Sequence, residues 1–416
     1  MRHPVVRPRL VPRALGVLVL GLSVTACSFN PHGLLSPDSL LPFRDDIPIS
    51  AATSAERNLV YESPGLLAVF HGTTCAKSDR SGEEVTLRVQ EELDLPKELD
   101  QATVLLNGYH LRYLEDDHHV QGLGTAIGAI EIDRGVLRWE AGGAISDHNF
   151  DDGYEWCYTY TVLAWNSLQL QATVDQGDTG HAFRDMAWTH GSSLLPVPGY
   201  LSNPAWAGLD EVAILPRGFG VLWGDDHHVL QFAYKHDSGE VYVEGEKTYG
   251  NFTVADPVSQ VGTGFVTWET TGLMKDNDLE HGQAVLDLVT GLGGSDVGLI
   301  SPPFTVAPRE DAGLGCSSLG SELHLEEREV QAVPYQFAIP VLSGWDLAYV
   351  CDDEHVTEIG AWIPKWEWQP GTSAAGGTLR YSVATQLRDK DNFPTFHTRT
   401  QVKILGLRRI TATTRK

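Results

Sequence analysis

A chain of 416 residues with 55 acidic and 30 basic side chains has a net charge of −25 at neutral pH. That excess repels nucleic-acid phosphates and anionic lipid headgroups, so a nucleic-acid partner is excluded. The 42 glycines, with Trp, Thr, Val and Tyr in short alternating runs and no long amphipathic helical period, predict an all-β protein of antiparallel strands joined by turns.

The first element in the chain is a targeting segment. Arg2, Arg7, Arg9 and Arg13 precede an uncharged apolar stretch from Ala14 to Val24, the n-region and h-region of an export signal. The stretch is far shorter than the roughly 20 residues a spanning helix needs, so it directs export and does not anchor the mature chain by crossing the bilayer. The junction Val24-Thr25-Ala26-Cys27 resembles the lipobox of bacterial lipoproteins. The resemblance covers residues 1 to 27. It implies removal of residues 1–26 as a signal peptide, acylation of Cys27 with palmitate-type chains, and a lipid anchor in a bacterial membrane with the body facing away from the cytoplasm. Ser28 in place of Asp after that cysteine favours, by the same resemblance, the outer membrane or cell surface. Cleavage removes four arginines and no acid, leaving 26 basic against 55 acidic residues and a net charge of −29. Residues 27–58, with their Pro, Ser and Asp, are expected to be a flexible tether.

Beyond the tether one string occurs three times: Asp116-Asp117-His118-His119-Val120, Asp225-Asp226-His227-His228-Val229 and Asp352-Asp353-Glu354-His355-Val356. Ahead of each runs an alternating stretch, starting at Gly108-Tyr109, Gly218-Phe219 and Gly344-Trp345, with the period of a strand that buries one face. A second column follows. Trp139, Trp268 and Tyr381 each precede an aspartate, Asp147, Asp276 or Asp389, at the same spacing, and a final apolar segment comes after. Two columns in the same order predict a tandem array. We expect three β-sandwich modules over 59–175, 181–297 and 302–411, each about the size of a small domain. Four cysteines remain after Cys27, and in an exported chain they are disulfide candidates. Of the three possible connectivities, pairing within modules, Cys75 to Cys157 and Cys316 to Cys351, leaves each unit self-contained.

The repeated loops are where chemistry is weighed. Asp147, Asn149 and Asp151, and likewise Asp276, Asp278 and Glu280, offer oxygen side chains at alternate positions, as a loop curling around calcium does. Calcium is therefore the expected cofactor of modules one and two. In module three Phe393 stands in the third place, and no site is expected there. The Asp and His residues of the repeated string (Asp116, Asp117, His119; Asp225, Asp226, His228; Asp352, Asp353, His355) fit turn-forming aspartates and hydrogen-bonded imidazoles. If both loops meet at one end of a sandwich, the added His shifts the metal preference towards zinc or manganese.

Trp362, Trp366 and Trp368 crowd one strand, the last two on the same face. They either fill a core or form a platform on which a sugar stacks. No nucleophile elbow, metalloprotease motif or phosphate loop occurs, and no catalytic residue is assigned. The expected function is that of a non-catalytic envelope lipoprotein whose repeated modules bind a glycan polymer or a protein partner in adhesion or envelope assembly. The alternative is a metal-dependent hydrolase acting on glycans through an acidic Asp/His loop.

Overall fold

The structure, a computed structural model, describes residues 49–408 apart from several segments, the longest being 179–194, 254–263 and 307–322, and for some strand residues it describes the main chain alone. The segment read as a signal, Cys27 and residues 28–48 lie outside it, and residues 52–58, expected as tether, belong to the strand Ala52–Ser63, which pairs with Leu67–Ser78. The described residues are nearly all strand: they hold no α-helix, only a 3-10 turn at Pro204–Trp206, and no helix long and apolar enough to cross a membrane.

Each module contributes four core strands. The first, leading into the repeated loop, is Gln101–Tyr113, Val212–His227 or Phe337–Tyr349. The second, leaving it, is Val120–Asp133, Gln231–Asp237 or Glu358–Gln369. The third holds the aromatic column (Val136–Ser146, Gly264–Lys275, Gly377–Arg388), and the fourth is Tyr154–Trp165, Gln283–Gly293 or Phe396–Leu407. Alternation along them buries one face: Tyr109, Leu111 and Tyr113 are all at most 3% exposed, while the intervening His110 and Arg112 are partly exposed.

Three curled sheets result, and none belongs to a single module. The first strand of each module pairs on one side with its own fourth strand and on the other with the second strand of a different module. Gly108 of module one is paired with Trp362 of module three, Gly218 of module two with Ala126 of module one, and Gly344 of module three with Lys235 of module two. The exchange is cyclic and closes on itself. Three separate sandwich domains are thus not confirmed: the described strands of the three modules share their sheets, and the described residues belong to one compact unit. The physical reason is that a first strand has two hydrogen-bonding edges, and the edge left by its own fourth strand is satisfied by a neighbour.

The seams between modules have a common construction. Each first strand has a register irregularity just before its glycine, at Leu106/Gly108, Pro216/Gly218 and Leu342/Gly344, the mark of a β-bulge. Gly108 sits at φ +135°, and a Cβ there would lie 2.2 Å from Trp362 Cα; only glycine allows the strands to approach this closely. The bulged residues are buried and polar. Arg217 donates from Nη1 to the carbonyls of Ile127 (2.7 Å) and Gly128 (2.8 Å) of module one. Asn107 donates to Thr161 Oγ1 (2.7 Å), which lies 3.0 Å from His71 Nδ1, and His71 Nε2 is 3.0 Å from the carbonyl of Ile363 in module three.

Burial holds the His71 imidazole well below its ordinary range, at about 4. The folded protein therefore keeps His71 neutral while the unfolded chain takes up a proton near pH 6.5. Between those values the unfolded state binds more protons, so this contribution is full above pH 6.5 and is lost as pH falls towards 4. Comparing urea unfolding at pH 7.5 and 4.5, we expect His71→Gln to reduce the acid loss of stability by about 3 kcal/mol relative to wild type. An equal loss in both proteins would show that His71 is not the group responsible.

Candidate functional site on a pseudo-threefold axis

Cyclic exchange brings the three first strands together in the middle of the molecule. Tyr109, Phe219 and Trp345, the aromatic residues after the three seam glycines, are mutual neighbours: Tyr109 to Phe219 is 4.8 Å between ring centroids, Tyr109 to Trp345 5.1 Å, and Phe219 to Trp345 4.6 Å. They mark a pseudo-threefold axis. One end of that axis is made by the repeated loops. Main-chain bridges stitch the loops together in the same cyclic order: His118 exchanges both hydrogen bonds with Val356 (3.2 and 2.9 Å), and His227 is paired with Val120. Val120, Val229 and Val356 are each fully buried, so the last position of the motif is a core anchor that fixes the backbone just after each His.

The preceding histidines converge. Ring centroids are 4.5 Å apart for His119 and His228, 4.8 Å for His119 and His355, and 4.4 Å for His228 and His355. One ring nitrogen from each lies within 4.8 Å of the other two, and all three residues are partly exposed. Three loops that are far apart in sequence thus form one composite site, with one imidazole from each module.

Of the other expected site residues, Asp147 and Asp276 are buried at the ends of the third strands, as is their module-three counterpart Asp389, and His118 Nδ1 lies 3.8 Å from Asp147 Oδ2. That contact joins the two repeated columns at the same end of the molecule. His118 was missed because the repeat does not preserve it: Glu354 stands at its place in module three. Asn149, Asp151, Asp278, Glu280, Asp116, Asp117, Asp352, Asp353, Cys316 and Cys351 lie outside the described residues, and Asp225 and Asp226 are described by main chain alone. Cys75 and Cys157 are cross-strand neighbours joined by a disulfide.

Of the two readings of the tryptophans, burial favours the core for Trp366 and Trp368. Trp366 and Trp368 do share a face, but each is only 7% exposed, covered by Phe337 at 6.2 and 5.9 Å. The parity of a strand tells which residues share a face, and what covers that face is decided by a distant strand. Trp362 is partly exposed, with its indole against His110. A groove beside Trp366 is rimmed by the ion pairs Lys365–Glu327 and Arg380–Glu329.

A second cluster of catalytic residue types lies elsewhere. Asp287 accepts from Tyr234 (2.7 Å) and Thr270 and lies 2.8 Å from His236 Nδ1. All four residues have no exposed surface. No substrate reaches them, so the cluster satisfies buried polar groups within the core. Comparison of the chain with protein-family models, curated proteins and solved structures finds no match.

Proposed function

We propose that this chain is a non-catalytic, lipid-anchored envelope protein whose interlocked modules present the loop end of the axis to a glycan polymer or a protein partner, in adhesion or envelope assembly. The observation that supports this reading is the convergence of His119, His228 and His355, one from each copy of the repeated string, on one partly exposed point. Convergence alters what repetition accomplishes. Three separated copies would raise affinity through effective concentration, whereas three copies around one axis make a single composite surface, so one partner is expected per chain. The anchor at Cys27 and calcium in the loops after Asp147 and Asp276 belong to the same proposal.

The test has two arms. Changing Cys27 to Ala should leave the precursor uncleaved or release the body from the membrane fraction; a Cys27→Ala protein of mature size that still sediments with membranes would overturn the lipid anchor. For the surface, wild type and a His119→Ala, His228→Ala, His355→Ala triple variant are compared on an envelope glycan array and in affinity capture with purified envelope proteins. Equal binding by both would place the partner elsewhere. The second reading, a metal-dependent glycan hydrolase, draws on the same imidazoles, since catalytic zinc sites use three protein ligands and an open position. Release of reducing ends from an envelope glycan, lost in the triple variant, would select it.

A further inference from the structure

From the axial geometry we infer that His119, His228 and His355 together bind one divalent transition-metal ion of the zinc class, each module supplying a single imidazole. The inference rests on the described side chains alone and holds whichever partner the loop end meets.

Three imidazoles are a donor set for zinc, copper, nickel or cobalt, whereas calcium and magnesium take oxygen ligands. Zinc–nitrogen bonds of about 2.0–2.1 Å in a tetrahedral site put ligand nitrogens about 3.3 Å apart. The three nitrogens already lie within 4.8 Å of one another, which leaves at most about 1.5 Å to close. The main chain beside each ring is anchored. It is held on one side by the buried Val120, Val229 and Val356 and on another by the His118–Val356 bridge and the His227–Val120 pairing. A site held in this way carries little ordering cost on binding. Partial exposure of all three rings gives an ion access from solvent and leaves room for a fourth ligand from water or from a bound partner. The net charge of −25 on the chain favours the approach of a cation.

Such an ion would act as a staple. Its three ligands come from the three modules, so it would join them directly at this end. The experiment uses the full mature body, without a histidine tag and stripped with chelator, titrated with Zn²⁺ by calorimetry and with Co²⁺ by visible absorption. The expected result is one ion per chain, a cobalt spectrum of tetrahedral or five-coordinate intensity, and a Tm raised by about 3 °C at a hundredfold excess over Kd. Each of His119→Gln, His228→Gln and His355→Gln should weaken Zn²⁺ binding by more than the roughly 10- to 100-fold typical of losing a second-shell partner, with an unchanged far-ultraviolet spectrum as the check on folding. His324→Gln, on the edge strand His324–Ala332 and outside the three-histidine cluster, should bind as wild type does. A wild-type chain that binds neither ion, or Zn²⁺ affinity equal in wild type and the three folded variants, would overturn the assignment.

Discussion

Replacing Cys75 and Cys157 together by Ala is expected to lower the stability of the protein by about 4.5 kcal/mol, the loop-closure entropy of a cross-link spanning 82 residues. The two residues face each other in register on adjacent strands, Leu67–Ser78 and Tyr154–Trp165, so the bond fixes the pairing of two strands on one side of their sheet's central strand, Gln101–Tyr113. Its effect lies mainly in the denatured state: without it, the stretch between residues 75 and 157, which includes the first repeated loop, is free to expand. Urea unfolding of the oxidised wild type and the double variant measures the difference. Equal midpoints would mean that the cross-link contributes nothing to stability, contrary to this expectation.

A comparable loss is expected from Trp345→Ala. The indole is 2% exposed and touches aromatic rings from both other modules: Tyr109 of module one at 5.1 Å, and Phe219 and Tyr234 of module two, each at 4.6 Å. Removing it from a packed centre costs the transfer energy of the ring and leaves a cavity that the surrounding strands, fixed by their hydrogen bonds, close only in part. About 3–5 kcal/mol is usual for such a change. Leu168→Ala, at a side chain 92% exposed, is the comparison and should stay within about 0.5 kcal/mol of wild type. Because residues from every module meet at Trp345, the variant should still unfold in one transition, shifted as a whole. A separate early transition for module three would show that the modules are less interdependent than their shared sheets imply.

Local strand structure was legible in the sequence because alternation records burial directly. Tyr109, Leu111 and Tyr113, or Trp345, Leu347 and Tyr349, can be read as an inward face before any fold is known, and all six are buried. The repeated columns were legible for a related reason. Val120, Val229 and Val356, Trp139 and Trp268, and Asp147, Asp276 and Asp389 recur at fixed offsets, and each set is buried in the fold. What alternation does not contain is the identity of a strand's neighbour. A second strand from any module presents the same row of N–H and C=O groups, so the exchange between modules leaves no periodic trace. Its one trace is steric: Gly108, Gly218 and Gly344 open the three alternating stretches, and at Gly108 and Gly218 a Cβ would meet the neighbouring module within 2.4 Å. The histidine site was obscured for the same reason. Equal offsets gave three equivalent imidazoles, but only the cyclic pairing of strands makes equivalent positions adjacent.

The seam between Gly108 and Trp362 also imposes an order on folding. Gln101–Tyr113 pairs with Tyr154–Trp165 of its own module soon after both are delivered, but its other edge waits for Glu358–Gln369. A chain that emerges from one end, whether from a ribosome or through a membrane pore, therefore carries an exposed strand edge for most of its passage. Contacts so distant in sequence form slowly, and an open edge of this kind is a template for pairing with another molecule. Truncation after residue 357 would accordingly remove more than the end of module three: it would leave module one with an open edge, and so the whole ring of sheets unclosed.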